Sequence, residues 1–208
     1  MLLSILRKIS SLLIVLLLFL PTNAYADSVF IYYTNATSAH YNNLKSILED
    51  AGWTVSGSNT TSVSSNDLSN MDMVIDIAGT SNCGSNCRNV YDSYVDGGGT
   101  LIIAAPNGAT NRISNIESLI ENVMSVGSIS LSNGCNNCYG SVAIGDYASS
   151  TSSENVLPGP DYLFTASGGE GMAANSSAST WYSWYIWDYG DGQVIVTFGY
   201  GQLTSTHT

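Results

Sequence analysis

Between residues 28 and 124, runs of continuous apolar residues alternate with amphipathic segments, and few folds accommodate that alternation. SVFIYYTN (28–35) is rich in β-branched and aromatic residues and reads as a buried strand. In TSAHYNNLKSILEDAGW (37–53), Leu44, Ile47, Leu48 and Ala51 recur at helical spacing, Ser38 can cap the start and Gly52 can end the helix. WTVSGS (53–58) follows as the next strand. After a polar loop the unit repeats as MVIDIAG (73–79), a helix from about Asn86 to Asp96, the triple glycine 97–99 and TLIIAA (100–105). A further helix, Arg112 to Met124, carries Ile113, Ile116, Leu119, Ile120 and Val123 on one side. A strand that is apolar on both faces has to be covered on both, so the pattern predicts a parallel sheet between two helix layers.

After Gly127 the period changes. SISLS (128–132) and SVAIGD (141–146) flank one cysteine pair and are expected as a hairpin or as two short excursions. YLFTASGG (162–169) and STWYSWYIWDYGDGQVIVTFGYG (179–201) have no helical period, and Asp191-Gly192 signals a turn between Tyr185–Trp187 and Gln193–Phe198. The C-terminal third is therefore expected as antiparallel strands that extend or cap the sheet. No linker, repeat or charge block divides residues 27–208, which reads as one domain.

The first residues bear on compartment. Arg7 and Lys8 precede an apolar run, Ile9 to Leu20, followed by Pro21 and Ala24-Tyr25-Ala26. That order is the pattern of a secretory signal peptide spanning residues 1–26, and the run is short for a membrane span. The expected product is secreted or periplasmic, with no membrane association after cleavage. Cleavage would leave Lys45, Arg88 and Arg112 as the only cations against sixteen carboxylates, a net charge of 3 − 16 = −13. A polyphosphate surface needs a basic patch, so nucleic acid is excluded as a partner.

Several segments resemble the class I glutamine amidotransferase-like superfamily, in particular its trehalose-utilisation-like, non-amidotransferase branch. The matching features are the first strand running into Thr34-Asn35, the helix–Ala-Gly-Trp-Thr-Val entry to the second strand, and DLSNMDMVIDIAG (67–79). YVDGGGTLIIAAPNG (94–108) and WDYGDGQVIVTFGYGQL (187–203) complete a match over most of residues 28–202. The resemblance implies a flavodoxin-like, three-layer αβα fold: a mostly parallel sheet with antiparallel C-terminal strands. It does not carry catalysis across. Where amidotransferases place a cysteine nucleophile in a sharp turn, this chain reads Ala104, Ala105, Pro106, Asn107 and Gly108, and in place of a late His-x-Glu it has only His207 between threonines. Glutamine hydrolysis by that route is excluded.

The chain's cysteines fall in SNCGSNC (81–87) and NGCNNCYG (133–140). Their C-x₃-C and C-x₂-C spacing permits a zinc site, but an oxidising compartment favours disulfides. Two local bridges, Cys83–Cys87 and Cys135–Cys138, are expected ahead of cross-pairing or metal. Both pairs are placed after strands, at the carboxyl edge where open α/β sheets bind ligands.

Asp76 interrupts an apolar strand, and a buried carboxylate needs a partner. Arg112 or Arg88 is expected to supply it, an Asp76–Arg112 pair at the crevice being the specific expectation. His40 stands at the entry to the first helix, where a general base or a ligand contact could sit. In WYSWYIWDY (181–189), strand alternation puts Trp181, Ser183, Tyr185 and Trp187 on one face and Tyr182, Trp184 and Ile186 on the other. Either one face is an exposed stacking surface for sugars, which makes Trp181 and Trp184, one on each face, the candidate ligand contacts, or both faces are core. No nucleophile, base and orienting group can be assembled, and neither a cofactor nor a metal is expected. The reading is an exported, non-catalytic module that binds a glycan or a protein surface. The alternative is a hydrolase acting through Asp76, with Glu170 or His40.

Overall fold

The computed structural model describes residues 28–34, 37–59, 68–77, 85–105, 113–124, 129–138, 141–143, 161–175 and 178–198. The proposed leader, Cys83, Arg112 and His207 lie outside them, as do the side chains of Cys87, Cys135 and Cys138.

The chain runs β1 (Ser28–Tyr32), α1 (Ser38–Asp50), β2 (Thr54–Ser58), β3 (Met73–Asp76), α2 (Ser85–Asp96), β4 (Thr100–Ala105) and α3 (Ile113–Met124). Then come β5 (Ser132–Cys138), β6 (Ser141–Ala143), β7 (Asp161–Thr165), β8 (Glu170–Asn175), β9 (Ala178–Tyr189) and β10 (Gly192–Phe198). All form one sheet in the order β2-β1-β3-β4-β10-β9-β7-β5, with β8 on β9 and β6 on β8. β2, β1, β3, β4 and β10 are parallel neighbours, and β9, β7 and β5 continue antiparallel. This is an α/β, flavodoxin-like architecture with antiparallel C-terminal strands.

The alternation of buried faces explains the layers. Val29, Ile31, Ile75 and Ile102 point to the side covered by Leu44 and Leu48 of α1. Phe30, Val74, Leu101 and Ile103 point to the other side, under Tyr91 and Val95 of α2 and Ile116, Leu119, Ile120 and Val123 of α3. Burying each large aliphatic side chain stabilises by roughly 1.5–3 kcal/mol, so two filled faces drive the chain into this arrangement. α1 ends where Gly52 takes φ +96°, a conformation that only glycine adopts without strain, and Trp53 N–H reaches back to the Leu48 carbonyl at 3.1 Å. Among the described residues no helix is long and apolar enough to cross a membrane.

Four sequence expectations need correction. The N-cap of α1 is Thr37, not Ser38, which is the first helical residue. The last strand does not extend an edge: β10 inserts beside β4, parallel to it, and the antiparallel strands build outward from β10. Glu170–Asn175 forms a strand that its short, small-residue sequence EGMAAN did not signal. The second cysteine pair lies within a strand, not in a loop between two strands, because β5 pairs with β7 and β6 with β8.

Candidate functional site

The sheet order places the crevice. From β1 the chain passes through α1 on one face to β2 on one side, whereas β3 lies on the other side of β1 and leads into α2 on the opposite face. The helices therefore diverge at the carboxyl ends of β1 and β3, the position where open α/β sheets take ligands.

Tyr32 and Asp76 are register partners at these two strand ends. Asp76 has no exposed surface, and Tyr91 of α2, also fully buried, donates its phenol to Asp76 Oδ2 at 3.0 Å. Burial, then the Asp76 charge and the hydrogen bond to it, push the Tyr91 phenol well above its ordinary range, and burial and Asp76 raise Tyr32 as well. Both phenols are therefore neutral donors under ordinary conditions. Arg88 is half-buried in α2. The Asp76–Arg112 pair lies outside the described residues.

The chemistry behind the Tyr91 contact is local. Asp76 continues the strand period on the α2 face, and helical spacing directs Tyr91 and Val95 at that same face. Sequence reasoning sought a cation for a buried carboxylate and missed a phenol that serves as donor. The available signal was a tyrosine on the apolar stripe of the helix that follows the acid.

The turn before α1 forms the other wall. Thr34 N–H donates to Thr37 Oγ1 at 2.8 Å, and Thr37 N–H donates to the Thr34 carbonyl at 2.9 Å. The buried Thr37 hydroxyl also reaches the Thr34 carbonyl at 3.2 Å, so it locks the turn and makes no side-chain cap bond to α1. Beside this turn, half-buried Tyr33 and Tyr41 stack with ring centroids 4.0 Å apart and planes within 9°. Gly57 of β2 leaves room for Tyr41, whose ring a Cβ there would strike.

The remaining candidates disperse. His40, in the first turn of α1, has its pKa lowered by burial and lies with α1 on the face opposite Asp76. Glu170 is exposed on β8 and pairs with Ile186 of β9, four strand spacings of about 4.8 Å from β3. Trp184 is 1 % exposed in the core and offers no stacking surface, while Trp181 is half-buried.

The expected alternation in the aromatic run also breaks. Tyr182 packs with Tyr185 and Trp187 instead of sharing a face with Trp184 and Ile186. The cause is a bulge. Trp184 and Tyr182 oppose the consecutive residues Ala173 and Ala174, so Ser183 is an extra residue in β9 and puts Tyr182 on the side opposite Trp184.

Cys87 and Cys138 lie at opposite edges of the sheet. Cys87 is in the first turn of α2, which leaves the carboxyl edge, whereas Cys138 opposes Asp161 at the start of β7. Because β7 runs parallel to β4, Cys138 lies at the amino edge. A regular three-residue step in a strand covers about 10 Å, beyond disulfide reach. Here three steps of β5 oppose only two of β7, which shortens the span to about 7 Å, near the upper limit for a bridge. If the expected bridges form, alkylation of the unreduced protein is expected to label no cysteine; labelling of all of them once metal is chelated would establish a zinc site instead. Among the described residues, no group of three His, Cys, Asp or Glu side chains could hold a metal ion.

The raised phenols make a pH prediction. Tyr91, Tyr32, Tyr94 and Tyr185 hold their protons more tightly in the folded chain than in the unfolded one. Their contribution is complete below the unfolded value of about 10 and is lost as pH rises through it towards the folded values. Urea midpoints are expected to be level from pH 8 to 9 and to fall steeply above 10.

No protein-family model matches the sequence, and no curated protein matches it. Among solved structures, the chain is similar to the mmIFT52 N-terminal domain, at TM-score 0.63 and 14% identity over 86% of this chain and 89% of that one. It is also similar to a putative thua-like protein from Bacteroides uniformis (TM-score 0.58, 14% identity, 86% and 84% covered). A third is a cytoplasmic protein from Salmonella typhimurium (TM-score 0.56, 11% identity, 83% and 87% covered). These likenesses show a ThuA-like fold.

Proposed function

We propose that the chain is an exported, non-catalytic binding module, a divergent member of the trehalose-utilisation-like branch of the amidotransferase-like superfamily. Its ligand surface is the crevice at the carboxyl ends of β1 and β3, and its ligand is a glycan. The observation that carries the non-catalytic reading is the state of Asp76: zero exposure, with its carboxylate held by the Tyr91 phenol. A general base has to reach the proton it takes, and this carboxylate is sealed beneath α2. His40 and Glu170, which a hydrolase would need beside it, stand on the opposite face and on a distant strand. The rim supports a neutral, hydroxyl-bearing ligand: it presents the Tyr33–Tyr41 stack and the threonine turn, on a strongly acidic chain.

Glycan-array and calorimetric binding are expected for the mature chain and should weaken at least tenfold in Tyr33→Ala. No glycan signal, combined with hydrolytic turnover abolished by Asp76→Asn, would establish the hydrolase instead. Binding to a protein surface without any glycan signal would leave a module of the other ligand class. Export is expected to expose Asp27 as the new N-terminus, which N-terminal sequencing of the extracellular or periplasmic protein checks.

A further inference from the structure

Trp184 and Trp187 lie three residues apart on β9 and are both buried, at 1 % and 2 % exposure. The Trp187 indole N–H donates to the Ser167 carbonyl at 3.0 Å. The Trp184 indole N–H has no hydrogen-bond partner among the described residues. A buried donor left unpaired costs free energy comparable to a lost hydrogen bond, and buried polar groups in native proteins are nearly always satisfied.

The surroundings of Trp184 are built irregularly. Register shifts place a bulge in β8 at Met172 and another in β9 at Ser183, one on each side of the Ala173–Trp184 pair. Bulges of this kind re-aim side chains and recur beside functional sites. The cross-strand row through Trp184 reads Ala173, Trp184, Thr197, Ala104, so two small residues and a buried hydroxyl accompany the indole. Ser183, also fully buried, satisfies its own hydroxyl on the Ala173 carbonyl at 3.3 Å, which leaves the Trp184 N–H as the donor still to be met.

We infer that Trp184 Nε1–H marks an internal site for a single neutral oxygen acceptor, beside Thr197 and between Ala104 and Ala173. The occupant is neutral because, among the described residues, the side chains clustered with Trp184 are apolar and its cross-strand row adds only the Thr197 hydroxyl, and a buried anion without a cation is far costlier than a buried water or hydroxyl. Two sources supply that chemistry, ordered solvent in the free protein and a ligand hydroxyl. The site is independent of the crevice reading, since it lies on the α1 face, two strands beyond β4.

The mature chain with ¹⁵N-labelled indoles tests the inference. A rotating-frame cross-peak between Trp184 Nε1–H and a long-lived water is expected, with none for Trp187, whose N–H is already engaged. Titration with cellohexaose distinguishes the sources: loss of the water peak with a shifted indole resonance assigns the site to ligand hydroxyl, and an unchanged peak assigns it to solvent. Trp184→Phe and Trp187→Phe remove the same volume, so the two unfolding constants should rise by similar factors. No water or ligand signal at Trp184, or an effect of Trp184→Phe at least tenfold smaller than that of Trp187→Phe, overturns the inference.

Discussion

Tyr91→Phe is expected to destabilise the protein by about 2–3 kcal/mol, although it removes a single oxygen. The phenol is the donor seen on a carboxylate with no exposed surface, and hydrogen bonds to buried charged groups contribute more than neutral ones. Asp76→Asn should cost less, because the amide still accepts from Tyr91 while the buried charge is gone. Combining the two should cost less than the sum of the singles, since once the charge is removed Tyr91 has less to satisfy. Urea denaturation of the four proteins measures this. A Tyr91→Phe cost below about 0.5 kcal/mol would show that other partners hold Asp76 and that the phenol is incidental. The same variant should lose part of the alkaline instability, because one of the phenols whose pKa burial raises is gone.

Gly192→Ala should be comparably severe, at about 3 kcal/mol, for a reason unrelated to charge. Gly192 opens β10 where it approaches the end of α2 and the triple glycine, and an added Cβ would strike the carbonyl oxygens of Val95 and Gly99. Both are backbone atoms, so no side-chain rotation relieves the overlap. Strand and turn would have to separate, disturbing the Gln193 N–H to Gly99 carbonyl bond of 3.1 Å. Gly97→Ala is the matched control, since its methyl would meet the Ser93 carbonyl at 3.2 Å and nothing closer. A fall in melting temperature of roughly 6–12 °C for Gly192→Ala is expected on the size scaling for such domains. Equal melting temperatures for the two variants would mean that the turn yields without cost.

How much of this was legible beforehand depends on the range of the physics involved. β1, β3, β4 and the three helices followed from periodicity, because the side a residue faces is set by its immediate neighbours in the chain. β8 was not legible: EGMAAN is small and polar enough to pass for loop, and it becomes a strand because β9 supplies its hydrogen bonds. The aromatic run failed as a stacking surface for a related reason. Period-2 reasoning cannot see the bulge at Ser183, nor the cluster of distant residues that buries Trp184.

The sequence by itself determined the layer pattern: apolar strands that need cover on both faces, and helices with one apolar stripe to provide it. It also showed that the superfamily's nucleophile position is occupied by alanine, proline, asparagine and glycine. Only the tertiary structure decided that Asp76 answers to Tyr91, that β10 sits between β4 and β9, that Cys87 and Cys138 face opposite edges, and that Trp184 is core. Each of these depends on which distant segment the sheet order brings alongside. Strand order minimises the free energy of the whole packed sheet, so it is not encoded in any one segment's pattern.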